Sequence, residues 1–197
     1  MKKSLIATGA ASLALAAMPA FGAFAAVTDT VTLTIQGSCS VGGAAGSSST
    51  VGKTITEANA VNSHLYTYAA DGSAGGVLKV SCNAANGWQV KAQGAGTGTP
   101  VTSMAASGSG TPIVTGTADS GATSNWAFKI AASSPVTVAD AYKNFAAVPA
   151  TPTKVASGSA AISEGTINTG YQVWVSATQQ ADTYTGKVTY TVAEGTN

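Results

Sequence analysis

The sequence predicts an all-β chain: an antiparallel β-sandwich with one disulfide, behind a cleavable export signal. Three observations lead there. Apolar and polar residues alternate with period two in short runs at 31–35, 78–82, 88–92, 126–130, 171–177 and 185–192, which sends successive side chains to opposite faces of a strand. The runs are separated by Gly-, Ser- and Thr-rich connections, with no sustained period near 3.6 that would mark a helix. The only two cysteines, Cys39 and Cys82, each close one of these runs or its immediate extension.

The export signal comes first. Met1-Lys2-Lys3 is a short basic start and Leu5 to Ala17 an apolar stretch rich in Ala and Leu. Ala23-Phe24-Ala25 supplies a small-x-small cleavage pattern, so residues 1–25 read as a signal peptide and the mature start is expected near Ala26, with Ala20-Phe21-Gly22 as a nearby competitor. The competing reading is a membrane anchor, but the apolar part is shorter than the roughly 20 residues a spanning helix requires. Export implies a secreted or cell-surface location, reached through the periplasm in a host with an outer membrane.

The full chain has 197 residues, and residues 26–197 are expected to form a single domain with a sizeable core. Removing Lys2 and Lys3 from nine basic residues leaves seven lysines against eight carboxylates, a formal net charge of −1. Such a sparsely charged surface offers no basic stripe for a phosphate backbone, so nucleic acid is not an expected partner. It suits a secreted protein, or one packed against copies of itself, because low charge weakens the repulsion that keeps proteins apart.

Two cysteines in an exported chain most simply form one disulfide. Joining Cys39 to Cys82 closes a loop of about 44 residues, worth roughly 4 kcal/mol in the chain-entropy model. Free reactive or metal-binding thiols are the alternative, which a single histidine, His64, and the lack of a CxxC pair do little to support.

Taken in order, Val31, Leu33 and Ile35 share one face of the first mature strand. Residues 42–52 read as a loop, 56–61 as a helical turn and 65–68 as a short strand. The run ending at Cys82, followed by Asn86-Gly87 and by 88–92, reads as a β-hairpin. Residues 94–124 are loop-like, with a short strand near Ile113 and Val114. The strand at 126–130 turns Trp126, Phe128 and Ile130 inward. Residues 131–160 carry Pro135, Pro149 and Pro152 and suggest loops, edge strands and a helical turn around 140–145. The last two strands are 171–177 and 185–192, the latter with Val188, Tyr190 and Val192 on one face. Short strands joined by such connections read as a sandwich, and no repeat of about 20 to 50 residues breaks the chain up.

No catalytic apparatus stands out. His64 is the only imidazole, there is no G-x-S-x-G elbow, and the eight carboxylates are scattered singly. Asp71-Gly72 and Asp119-Ser120-Gly121 lack the spaced acids of a calcium loop, and the glycine clusters at 94–98 and 108–110 lack the helix start and lysine of a phosphate loop. The reading is non-enzymatic, with no cofactor and no metal. Trp88 and Trp126 alternate in step with Val90 and Ile130 and are expected in the core. Trp174 falls between Val173 and Val175, on the outer face. There, with neighbouring tyrosines such as Tyr171, it is a candidate to stack on a sugar ring or on a partner, unless the 131–160 segment covers it.

The order of these pieces resembles a known family. Ser38-Cys39-Ser40-Val41-Gly42-Gly43 is followed by Gly76-Val77-Leu78-Lys79-Val80-Ser81-Cys82-Asn83, by the strand at 88–92, and by a last strand running from Asp182 to Val192. Together they look like the spore coat protein U domain and the archaic chaperone–usher pilus subunits that carry it. The resemblance implies an incomplete immunoglobulin-like Greek-key sandwich, with Cys39 and Cys82 at the family's disulfide positions. Each subunit's N-terminal segment would fill the groove of the next, with Val31, Leu33 and Ile35 as candidate donor-strand side chains. The implied partners are further subunits, a periplasmic chaperone and an usher. A sandwich closed by its own N-terminal strand, secreted as a monomer and binding a glycan or another surface ligand through exposed aromatics, is the alternative.

Overall fold

The computed structural model describes residues 39–41, 48–57, 64–68, 76–117 and 123–195. The signal peptide, its boundary at residue 25 and the candidate donor residues Val31, Leu33 and Ile35 lie outside the described residues. Twelve strands are found among those described: β1 (Cys39–Val41), β2 (Ser48–Glu57), β3 (His64–Tyr68), β4 (Gly76–Cys82), β5 (Trp88–Gly94), β6 (Ala105–Ala106), β7 (Val114–Thr115), β8 (Asn125–Ala132), β9 (Thr137–Val138), β10 (Thr153–Gly158), β11 (Ile162–Val175) and β12 (Asp182–Glu194). One 3₁₀ turn, Asp140–Tyr142, falls in the piece expected to hold a helical turn. Among the described residues no helix is long and apolar enough to cross a membrane.

The strands form two six-stranded sheets packed face to face. One runs β1-β4-β11-β8-β7, with β3 also on β11; the other runs β2-β12-β5-β10-β9, with β6 also on β12. All pairings are antiparallel except the short β7–β8 contact, which is parallel. The two longest strands, β11 and β12, are interior to their sheets, and each is paired along both sides. Alternation explains their placement. Tyr171, Val173 and Val175 of β11 are buried while Gln172 and Trp174 are less so, and on β12 Tyr184, Val188, Tyr190 and Val192 are buried. The expected all-β sandwich is therefore the fold, and Cys39 and Cys82 stand opposite one another on β1 and β4, joined by the expected disulfide.

The core is organised by aromatic rings seated on glycines. Trp126, fully buried on β8, lies against Gly186 of β12 in the opposite sheet, where an added Cβ would come within 2.8 Å of the ring and 2.9 Å of Met104 Cγ. Trp88 lies over Gly158, its cross-strand partner on β10, where a Cβ would come within 2.6 Å of the ring. Both indole N–H groups are satisfied by backbone carbonyls: Trp126 Nε1 donates to Thr102 at 2.8 Å within the core, and Trp88 Nε1 to Ala160 at 3.1 Å nearer the surface. Trp126 and Tyr171 have ring centroids 6.4 Å apart, and the hydroxyls of Tyr171 and Tyr190 meet at 3.1 Å, bridging the two sheets. Burial raises both phenol pKa values, so the bridge stays neutral and intact at ordinary pH.

Three expectations are corrected. The β4–β5 unit is not a hairpin. β4 pairs with β1 and β11, whereas β5 pairs with β12 and β10 in the other sheet, so residues 83–87 form an arch over the end of the core. Asn-Gly misleads here because it supplies the left-handed residue that a tight reversal demands, and an arch demands one too. Gly87 has φ +83°, and its N–H returns to the Ala84 carbonyl at 3.3 Å. Alternation cannot separate the two cases: both strands need a buried face, and here Leu78, Val80 and Cys82 meet Trp88, Val90 and Ala92 across the core instead of side by side. The loop expected at 42–52 gives way at Ser48, where β2 begins, and β2 continues through Thr56 and Glu57, two residues of the expected helical turn. The long edge of β12 supplies the reason, since ten residues of β2 find ladder partners along it.

The glycine seat yields a test. Gly186→Ala should lower stability by about 1–3 kcal/mol, because the methyl must displace Trp126 and Met104 in a close-packed core. Urea unfolding should show a lower midpoint at unchanged m-value. An unchanged midpoint would mean that the ring is not seated there.

Candidate functional site

Two features on the described surface depart from a plain sandwich: a row of side chains crossing one outer sheet face, and a carboxylate cradled by a glycine loop. The row follows from register. Leu65 of β3 stands opposite Trp174 of β11, Trp174 opposite Asn125 of β8, and Asn125 beside Val114 of β7. Residues opposed in a ladder share a face, and Trp126 and Val173, one step along, are buried in the core. The row Leu65–Trp174–Asn125–Val114 therefore lies on the outer face. Leu65 is 48% exposed and Val114 46%, while Trp174 and Asn125 are partly covered.

Trp174 is thus where the alternation places it, on the outside. Tyr171, paired with it as a candidate surface residue, is not. It is 1% exposed and points into the core, because three positions along a strand reverses the face. Its hydroxyl is engaged with Tyr190. His64 lies on β3 opposite Val175.

Next to the row, where β8 begins and β11 ends, is a cavity of about 270 Å³. Val114 and Ser124 line it, together with Ser176, Thr178 and Gln179 from the turn after β11. Its hydroxyls are linked: the Ser176 N–H donates to Ser124 Oγ at 3.0 Å, and Ser176 Oγ lies 3.1 Å from Thr178 Oγ1. Gln179 Nε2 donates to the Thr111 carbonyl and to the Tyr184 hydroxyl, both at 2.7 Å, which fixes the amide in the wall. Among the described residues no ionisable side chain lines this cavity. A wider open cleft of about 450 Å³ lies between the end of β8 and β9, with Lys143 at its rim held by Asp140 at 2.7 Å.

The second feature is Asp182, at the start of β12. In the sequence it is one of eight singly scattered carboxylates. The structure gives it four donors: Ser107 Oγ at 2.7 Å, the N–H groups of Gly108 and Gly110 each at 3.0 Å, and the Thr183 N–H at 2.7 Å. These hold its pKa down at about 2, from an ordinary value of 3.8, the Ser107 hydroxyl contributing most. The glycines are required by space, since a Cβ on Gly110 would come within 2.9 Å of the carboxylate and 2.5 Å of the Tyr184 hydroxyl. The signal in the sequence is the S-G-S-G run at 107–110, but the chain separation from Asp182 hides the contact. With its acceptor positions filled, Asp182 works as a structural clamp and not as a base. Two other carboxylates are lowered more simply, Glu164 by Lys79 at 2.8 Å and Asp140 by Lys143, both exposed pairs of little energetic weight. Among the described residues no group of three potential metal ligands occurs.

The edges bear on assembly. On one side β12 is covered by β2 over residues 182–191, and on the other by β6 and β5. Among the described residues β2 has no strand partner other than β12, leaving its far side as a sheet edge. The disulfide indicates folding in an oxidising, non-cytoplasmic compartment. Compared with protein-family models, with curated proteins and with solved structures, the chain finds no match in any of the three.

The clamp makes a pH prediction. A carboxylate with a depressed folded pKa contributes stability above its unfolded value and loses it as pH falls through the folded one. Thermal melting of the native chain should therefore drop between pH 3.8 and about 2 more steeply than that of Asp182→Ala, whose curve should be lower above that window and converge within it. Parallel curves across the whole range would refute the clamp.

Proposed function

We propose that the chain is a secreted, non-enzymatic structural protein of the cell surface, a pilus, fimbrial or coat subunit that assembles by β-strand addition. The observation that carries this reading is the edge strand β2, ten residues long and hydrogen-bonded among the described residues to β12 alone. Long unpaired edges are templates for another chain unless they are broken by proline, bulges or charge. β2 has no proline, and its two charged residues are Lys53 and the terminal Glu57.

The rest of the chain agrees with that use. The mature surface has few charges, which lowers the electrostatic cost of packing copies together. A disulfide secures β1 to β4 in the first half of the fold, as a subunit outside the cell requires. The alternating segment with Val31, Leu33 and Ile35 precedes this framework and supplies a candidate strand. The resemblance to the spore coat protein U domain adds a periplasmic chaperone and usher as assembly partners. Among the described residues both flanks of β12 are occupied, one by β2 and the other by β5 and β6, so an added strand would extend this sheet at the outer side of β2.

Deleting residues 26–36 tests the reading. The oxidised parent protein should run as a ladder in detergent that collapses only on boiling. The deletion should give a folded or aggregation-prone subunit without the ladder. A ladder that survives the deletion removes the N-terminal strand from the mechanism, and a parent that stays monomeric at all concentrations removes self-assembly.

A further inference from the structure

We infer that the outer face of the β11 sheet carries a binding site for a neutral oligosaccharide, running from Trp174 across Asn125 and Val114 into the cavity walled by Ser124, Ser176, Thr178 and Gln179. This is independent of strand addition, since it uses the opposite sheet from β2.

The chemistry of a neutral sugar asks for two things: a flat apolar surface for the C–H face of a pyranose ring, and uncharged donors and acceptors for its hydroxyls. The row supplies the first, with an indole on β11, Leu65 beside it on β3, and Val114 on β7 beyond the intervening Asn125. The cavity supplies the second. Hydroxyls carry one donor and two acceptor positions each, so the linked groups of Ser124, Ser176 and Thr178 retain capacity beyond their mutual bonds. Gln179 spends its amide nitrogen on Thr111 and Tyr184, which orients the side chain and fixes where its carbonyl oxygen stands.

Spacing joins the two parts. Val114 belongs to both, as the end of the row and as a wall of the cavity. β7 is two strands from β11, about 10 Å at the usual spacing, roughly the span of two linked sugar rings. A ring on Trp174 would therefore place its neighbour at the mouth of the cavity. Among the described residues the lining is polar but carries no ionisable side chain, which argues for an uncharged ligand over a sialylated or sulfated one. A second copy of the chain is the other possible occupant of the row. A stable protein contact commonly buries about 1,000 Å² or more, far beyond three apolar side chains, and it would leave the hydroxyl-lined cavity without a role.

The test is retention of the oxidised, exported protein on a printed array of neutral, sialylated and sulfated oligosaccharides. Binding should favour the neutral set. It should weaken by about tenfold or more in Trp174→Ala, through lost stacking, and also in Thr178→Val, which removes a hydroxyl at constant size. Both variants should retain the parent's melting temperature; a variant that melts early is replaced by Val114→Glu, at an exposed position, with the same loss expected. The inference is overturned by no retention on neutral glycans, by preference for charged ones, or by retention that these variants leave unchanged. It is also overturned if the parent is a dimer that Trp174→Ala converts to monomer, which would assign the row to a protein contact.

Discussion

The seat of Trp126 on Gly186 is the contact on which most of the sandwich depends. A β-sandwich core is about 10 Å thick, and an indole crossing it needs the facing strand to surrender its side chain. Gly186 does so in the middle of β12, and the space is shared with Met104. The seated ring can then stack against Tyr171, whose hydroxyl reaches Tyr190 back in the β12 sheet. Indole, phenol and phenol thus tie β8, β11 and β12 across both layers. An alanine-sized residue at 186 would push the ring toward Tyr171 and strain the bridge.

The same seat helps explain why residues 102–110 are ordered with only the two-residue strand β6 as regular structure. Thr102 receives the Trp126 indole N–H, Met104 fills the space beside the ring, and Ser107, Gly108 and Gly110 close on Asp182. A segment poor in large apolar residues cannot bury enough surface to order itself. Besides the two rungs of β6 on β12, this one is held at two points, by an indole at one end and a carboxylate at the other. Both anchors come from strands far away in sequence, so composition alone reads the segment as a flexible loop.

Legibility followed the range of the interaction. Alternation reports which residues share a face of a strand, and it correctly placed Trp88 and Trp126 inside and Trp174 outside, and put Val188 and Tyr190 on one face, which is the buried one. It carries no information on which sheet a strand joins. The runs flanking Asn86-Gly87 therefore look like hairpin arms although they lie in opposite layers. β2 was hidden by its Ser- and Gly-containing start, and it is a strand because β12 offers ten ladder positions. The cavity beside Trp174 was invisible for the same reason as the clamp. Its walls, Ser124 from one region and Ser176 to Gln179 from another, are brought together only by the pairing of β8 with β11.

Three tryptophans obey one alternation and end in different surroundings, and the difference lies in what faces them. Trp88 and Trp126 each meet a glycine, and each indole N–H finds a backbone carbonyl, a buried one for Trp126 and a partly buried one for Trp88, so the polar edge of the ring is satisfied in both. Trp174 has as ladder neighbours Leu65 and Asn125, side chains that stand up beside the ring instead of making room beneath a second layer. Burying a ring at that position would need a third layer over the sheet. Leu65 and Val114, each nearly half exposed, mark the face as open at both ends of the row. A strand can place such a ring outward at little cost to the fold, because the inward residues on either side, Val173 and Val175, already secure β11 to the core. The outer position of Trp174 is therefore free to be shaped by what it contacts, while those of Trp88 and Trp126 are fixed by the sandwich itself.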